Sequence, residues 1–212
     1  MNDEWLARWE RGQTGWHQAN GSGALRKFWP QLTMGSRVLV PLCGKSPDLL
    51  WLAGQGCDVT GVELSEIAVR SFFAETGIQF EVEEGQGLLW FRGVQQHLNI
   101  ACGDYFQFSD ERFDALYDRA ALVALPPAIR PSYVEHTKSL LKTDATQLLI
   151  TLEYDQSKVN GPPFSVRPDE VKTYWPELQR VDDLCALTNM PSKFLDAGLN
   201  KFGEAVWLSA HS

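Results

Sequence analysis

Residues 37–66, RVLVPLCGKSPDLLWLAGQGCDVTGVELSE, constrain this chain more than any other stretch. The run SRVLVPL (36–42) is continuously apolar and bounded by Gly35 and Gly44, the pattern of a strand buried on both faces of a parallel sheet. SPDLLWLAGQG follows with helix signals: Ser46 as N-cap, Pro47 in the first turn, Gly54 and Gly56 near the end. CDVTGVEL (57–64) reads as a second strand, and it closes on an acid, Glu63. Strand, loop, helix, strand is a β-α-β unit. Ligands of such folds bind at the carboxyl ends of the strands, here the loop after the first strand and the acid that ends the second.

The remaining elements extend the same plan. SEIAVRSFFAETG (65–77) predicts a helix capped by Ser65 and stopped by Gly77. LLWFRGVQQHLNIACGD (88–104) alternates around Gly93, which predicts a hairpin-like excursion before the next sheet strand. RFDALYDRAAL (112–122) and TQLLITLEYD (146–155) read as strands, with a helix over PSYVEHTKSLL (131–141) between them. RVDDLCAL (180–187) and EAVWLSA (204–210) are late strands joined by a short connection, which predicts an antiparallel closing pair. The expected architecture is one doubly wound, Rossmann-like α/β domain over 1–212, mostly parallel, with an antiparallel strand near the C-terminus.

Charge and composition narrow the partners. The net charge is −8, and lysines and arginines are scattered among acids, which argues against nucleic acid as a partner. Apolar runs are only strand-length, so no membrane span is expected. The N-terminus MNDEWLARWERG carries acids where a secretory signal needs a basic start, which predicts a cytoplasmic location, and a monomer is expected. Cys43, Cys57, Cys102 and Cys185 form no C-x-x-C pair and read as reduced, packed thiols. The four histidines show no zinc-site spacing, so no metal is expected.

The loop itself selects among nucleotide cofactors. Gly44-Lys45-Ser46 imitates the end of a phosphate-binding loop, but the first glycine of that motif would fall at Leu39, inside a strand. NAD or FAD needs a full set of glycines so that pyrophosphate oxygens reach backbone N–H groups, and Leu42 and Ser46 obstruct that approach. A cofactor with a ribose and no phosphate needs one close approach, which Gly44 offers. Glu63, roughly 20 residues past the loop, is placed to accept hydrogen bonds from ribose hydroxyls. S-adenosyl-L-methionine meets these conditions.

The segments PLCGKSPDLLWLAGQG, VTGVELSE, YDRAALVAL and GPPFSV, together with the W-x6-WHQ pattern from Trp9 to Gln18, resemble the thiopurine S-methyltransferase family in its bacterial form. The resemblance runs in order over nearly the whole chain. It implies a class I methyltransferase that moves a methyl group from S-adenosylmethionine to the sulfur of aromatic or heterocyclic thiols, with selenium and tellurium compounds also in the family's range. It carries cofactor contacts onto Trp9, Leu42, Glu63 and Arg119. Gly44 belongs with Leu42, and Gly103 and Asp104 lie where the superfamily commonly reads the adenine edge. Trp16 takes the family's substrate-facing aromatic position. NGPPFSV (160–166), with two rigid prolines and Phe164, is a candidate wall for the acceptor, with an ordinary turn before the helix near Pro168 as the alternative. Arg119 is a candidate stabiliser of a thiolate, with an ion pair to the adjacent Asp118 as its structural alternative. His17 reads as structural, because a heterocyclic thiol is already largely a thiolate near neutral pH and the chemistry needs little base.

Trp5, Trp9 and Trp16 crowd the start of the chain, and Trp5 and Trp9 share one face if this segment is helical. Residues 1–25 are therefore expected to pack on the domain as a lid. Competing readings are an oxidoreductase, disfavoured by the missing glycines, and a hydrolase, disfavoured by the lack of G-x-S-x-G. An O- or N-methyltransferase and a non-catalytic cofactor-binding module remain as alternatives.

Overall fold

A nine-stranded mixed sheet organises the computed structural model, which describes residues 2–15, 17–185 and 192–209. In chain order its elements begin with helices α1 (Asn2–Glu10) and α2 (Gly23–Phe28). The first β-α-β unit is β1 (Arg37–Pro41), α3 (Asp48–Gly54) and β2 (Asp58–Glu63), followed by α4 (Glu66–Thr76). A meander of β3 (Phe80–Gly85), β4 (Leu88–Gly93) and β5 (Leu98–Cys102) leads to β6 (Phe113–Arg119), α5 (Arg130–Ser139) and β7 (Leu141–Tyr154). The chain ends with α6 (Pro168–Tyr174), β8 (Leu178–Cys185), α7 (Ser192–Asp196) and β9 (Phe202–Ser209).

The strand order is β3-β4-β5-β2-β1-β6-β7-β9-β8. The five central strands, β5 to β7 in that order, are parallel. Antiparallel pairs flank them on both sides, β3–β4–β5 at one edge and β7–β9–β8 at the other. The chain goes from β1 outward to β2 and β5, then returns to place β6 on the other side of β1. That reversal creates the crevice in which open α/β sheets bind ligands.

The core explains the unbroken apolar pattern of β1. Val38 and Val40 face one layer with Leu25, Leu49, Leu52 and Phe72, from α2, α3 and α4. Leu39 faces the other layer with Leu116, Tyr133 and Val171, which brings α5 and α6 to the opposite side. A strand covered on both faces has no polar side to present. Helix α4 starts and stops where its sequence signals lie: the Ser65 hydroxyl accepts from Ala68 N, and Gly77 takes the left-handed conformation with φ 70°.

Three sequence expectations shift. Helix α3 begins at Asp48 behind Pro47, and the Ser46 hydroxyl accepts from Asp48 N at 3.3 Å from one position farther out. The excursion over 88–104 is part of a three-stranded meander. Its outer strand β3 carries Glu81, Glu83 and Glu84, charges that leave little apolar alternation to read and suit an exposed edge. The connection between β8 and β9 holds α7, while the two strands pair antiparallel as expected. Among the described residues, no helix is long and apolar enough to cross a membrane.

Candidate functional site

The carboxyl ends of β1, β2, β5 and β6 open into one cleft with about 1000 Å³ of empty space, its mouth included. The loop after β1 sets its shape. Leu42 and Gly44 both adopt positive φ, 48° and 57°, turning the chain sharply back toward the end of β2. For Leu42 this left-handed backbone costs on the order of 1–3 kcal/mol, so the surrounding contacts must hold it. They are visible. Cys43 N donates to Val62 O at 3.0 Å, Gly44 N donates to the Glu63 carboxylate at 2.8 Å, and Ser46 N donates to Cys43 O at 3.2 Å.

Glu63 is only 7% exposed, and burial, partly offset by its backbone N–H partners, pushes its pKa above the usual carboxylate range. Oε2 accepts from Gly44 N and Oε1 from Ser65 N, each at 2.8 Å. A carboxylate has about four acceptor sites, so each oxygen keeps capacity for a further donor from the cleft. Two consequences follow for the ligand. The acid offers acceptors to vicinal hydroxyls, and the Cys43, Gly44 and Ser46 N–H groups of the loop are already engaged and so not free to cradle a pyrophosphate.

Trp9 closes this corner from above. It is buried at 7% exposure, and a Cβ added at Gly44 would stand 3.3 Å from its Cζ2 atom. Gly44 thus serves both the left-handed turn and the close approach of the indole. Helix α1 is tied to the far strand end as well, since Asn2 Nδ2 donates to Asp104 Oδ2 at 3.2 Å. Asp104 Oδ1 meanwhile accepts from Phe106 N at 3.0 Å and caps the 3-10 turn Tyr105–Gln107. Gly103 N donates to Glu63 O at 2.9 Å, and a Cβ at Gly103 would run into Leu88.

The end of β6 contributes a second pinned turn. Ala120 has φ 73°, and the buried Asp118 carboxylate accepts from Ala121 N and Leu122 N at 3.2 Å and from the Tyr133 hydroxyl at 2.7 Å. Burial raises the Asp118 pKa to about 6. With Asp118 so engaged, the alternative of an Asp118–Arg119 ion pair is absent, and among the described residues Arg119 has no ion-pair or hydrogen-bonded side-chain partner. Arg119 is half-buried, and its charge together with that of Lys45 helps burial hold the His17 pKa below its ordinary value.

Of the residues singled out in the sequence, Trp9, Leu42, Gly44, Glu63, Gly103 and Asp104 all line this cleft. Arg119 is adjacent to the lining residue Ala120 and does not itself line it. Phe164 is not a lining residue either: its ring folds onto Gly161 and lies 5.9 Å from the Arg130 guanidinium, while Pro162 and Pro163 form the wall. The expectation for Trp16 falls outside the described residues. The sequence reading missed Asn2, Arg8, Tyr105, Val123 and Tyr133 as lining residues. The helical pattern of α5 marks Tyr133 as inward-facing, but nothing local tells a cleft from a core.

Cys43, Cys57 and Cys102 are free, and burial pushes the Cys102 thiol up to about 12, so these thiols are packing groups. Among the described residues, no group of three His, Cys, Asp or Glu is arranged to hold a metal ion.

The family model described as thiopurine S-methyltransferase matches residues 1–212. A thiopurine S-methyltransferase of Bordetella petrii is 47% identical over 212 residues, covering 96% of this chain and 95% of that protein. One from Pseudomonas syringae pv. tomato is 42% identical over 218 residues, covering 98% and 97%. Among solved structures, the chain is similar to Burkholderia thailandensis 1,6-didemethyltoxoflavin-N1-methyltransferase with bound S-adenosylhomocysteine, at TM-score 0.63 and 17% identity over 99% of this chain and 87% of that one. It is also similar to TehB from Haemophilus influenzae, at TM-score 0.59 and 15% identity over 97% and 66% of the two chains. At these identities the structural likenesses establish the methyltransferase fold.

Proposed function

Because the chain belongs to the thiopurine S-methyltransferase family, we propose that it methylates the sulfur of aromatic or heterocyclic thiols such as thiopurines, with S-adenosylmethionine as donor. The observation that carries this reading is the corner formed by Glu63, Gly44 and Trp9. It combines an acid with spare acceptor capacity, a loop in which the Cys43, Gly44 and Ser46 N–H groups are already engaged, and an indole laid against the loop glycine. These residues fit a cofactor with ribose hydroxyls and no phosphate.

S-adenosylmethionine, when bound, supplies the methyl group on its sulfonium. Glu63 accepts from the ribose hydroxyls, and Leu42 offers an apolar wall to the methionine portion. Trp9 covers the cofactor, and a ring beside a sulfonium gains on the order of 0.5–2 kcal/mol from cation–π attraction. Gly103 and Asp104 border the adenine.

The acceptor occupies the remaining half of the cleft, between the Val123–Leu125 turn and the Pro162–Pro163 wall. Arg119 supplies positive charge near the thiolate. His17 stays neutral near pH 7 and is not required as a base, because the thiolate is already the nucleophile. Orientation then does most of the catalytic work, and aligned reactants gain roughly 7–11 kcal/mol relative to free ones. Helix α1 acts as the lid, excluding water when it closes through Trp9 and the Asn2–Asp104 contact, whereas Ala24 and Leu25 of α2 are buried in the core and do not move with it.

The test is a methyl-transfer assay with labelled S-adenosylmethionine over a panel of thiopurines, simple aromatic thiols, phenols and amines. Transfer to thiols well above transfer to phenols and amines is expected. Transfer confined to oxygen or nitrogen acceptors contradicts the thiol reading, and no transfer to any acceptor alongside tight cofactor binding favours a non-catalytic binding module.

A further inference from the structure

Arg130 does not line the cleft, yet it joins the segments that form its acceptor side. It begins α5 and is 1% exposed, a position where an unmet guanidinium is strongly destabilising. Its donors are met from three directions. Nε donates to Leu125 O at 3.0 Å, Nη2 donates to Ser165 O at 3.2 Å, and Nη1 donates to both Glu170 oxygens at 2.9 and 2.8 Å. Leu125 closes the 3-10 turn Leu122–Ala124, Ser165 follows the proline wall by two residues, and Glu170 belongs to α6. Phe164 N donates to Val123 O at 2.6 Å, a direct stitch between the same two walls.

A buried ion pair is a weak stabiliser, and well-packed apolar side chains of similar volume often do as well. What a planar five-donor group adds is fixed geometry among several acceptors at once. We propose that Arg130 is a positioning residue for the acceptor: it sets the separation between the Val123–Leu125 turn and the Pro162–Pro163 wall, and with it which thiols fit. The inference rests on the reading that the thiol occupies this half of the cleft. None of Arg130's partners belongs to the Gly44–Glu63 corner, so its loss separates acceptor recognition from cofactor binding.

The experiment uses the full chain, with Arg130→Lys and Glu170→Gln beside wild type. It measures thiol KM and kcat, cofactor Kd by calorimetry, and melting temperature. A lysine ammonium cannot reach all four acceptors, so Arg130→Lys is expected to lose ~10–100-fold in kcat/KM for a thiopurine, the scale of a displaced positioning element. Cofactor Kd is expected to stay within about twofold, because the two sites share no partners. Glu170→Gln, at a side chain that is itself 25% exposed, should shift the same way by less and change the preference between a one-ring thiol and a fused bicyclic thiol. Unchanged thiol kinetics in a folded Arg130→Lys variant, or a cofactor Kd that rises in step with thiol KM, overturns the inference. If Arg130→Lys does not fold, unchanged kinetics and thiol preference in Glu170→Gln overturn it instead. Wild-type protein that methylates no thiol defeats the underlying reading and this inference with it.

Discussion

The two walls of the cleft are built by different means. The cofactor corner is made by short-range backbone contacts to one acid: Glu63 accepts from Ser65, two residues on, and from Gly44, 19 residues back. The opposite side and the placement of α1 are held by side chains that reach across the chain: Arg130 to residues 35 and 40 positions away, and Asn2 to Asp104, 102 positions away. The difference teaches where each kind of specificity resides. A corner fixed by the ends of adjacent strands is nearly determined once the β-α-β unit folds, whereas a wall held by distant side chains can change its spacing without disturbing the sheet.

Asp118 sits at the joint of the two walls, and its titration gives the largest expected effect. In the unfolded chain it ionises near the ordinary aspartate value of 3.8, while in the folded protein burial keeps it protonated up to about 6. Between these values the folded state binds more protons, so Asp118 adds stability below about pH 4 that is lost as pH rises to about 6 and stays lost above it. Relative to Asp118→Asn, the wild-type unfolding free energy should therefore fall by about 2–3 kcal/mol from pH 4 to pH 7. A difference that is flat across that range, measured by denaturant unfolding, means that the Ala120 turn is not held by a buried carboxyl.

Next in size is the corner acid. Glu63→Ala should weaken S-adenosylmethionine binding by roughly 1.5–3 kcal/mol, the scale for losing charge-assisted hydrogen bonds, with Glu63→Gln milder because its amide oxygen still accepts. If both variants bind like wild type, Glu63 merely pins the loop and the corner does not read ribose.

The smallest effect concerns the proposed lid. Trp9→Ala should raise cofactor Kd by the equivalent of about 0.5–2 kcal/mol. Amide exchange in residues 5–15 should slow when the demethylated cofactor is added, because a helix with few core contacts opens easily when the site is empty. Exchange that is already slow without ligand, with a Trp9 variant that only melts earlier, makes α1 a fixed part of the core.

Legibility in the sequence follows the same division. The central strands, the caps of α4 and the Gly44–Glu63 corner are written in contiguous signals: a buried apolar run, Ser65 and Gly77 at the helix ends, and an acid closing a strand. Strand β3 was not legible, because its run of exposed glutamates hides the period-2 signal at a sheet edge. The role of Asn2 and the clamp of Arg130 were not legible either, since each depends on which distant segments the fold brings together. Phe164 shows the limit at single-residue scale: the sequence marks the GPPF turn, but only packing decides that the prolines face the cleft while the ring turns to Gly161 and Arg130.

The corner's geometry suits a ribose-bearing cofactor without phosphate. Calorimetric titration of the wild-type chain with S-adenosylhomocysteine and, separately, with NAD tests it most directly. Saturable binding of S-adenosylhomocysteine is expected, with no measurable heat from NAD at the same concentrations. Tight binding of NAD with no response to S-adenosylhomocysteine would contradict it.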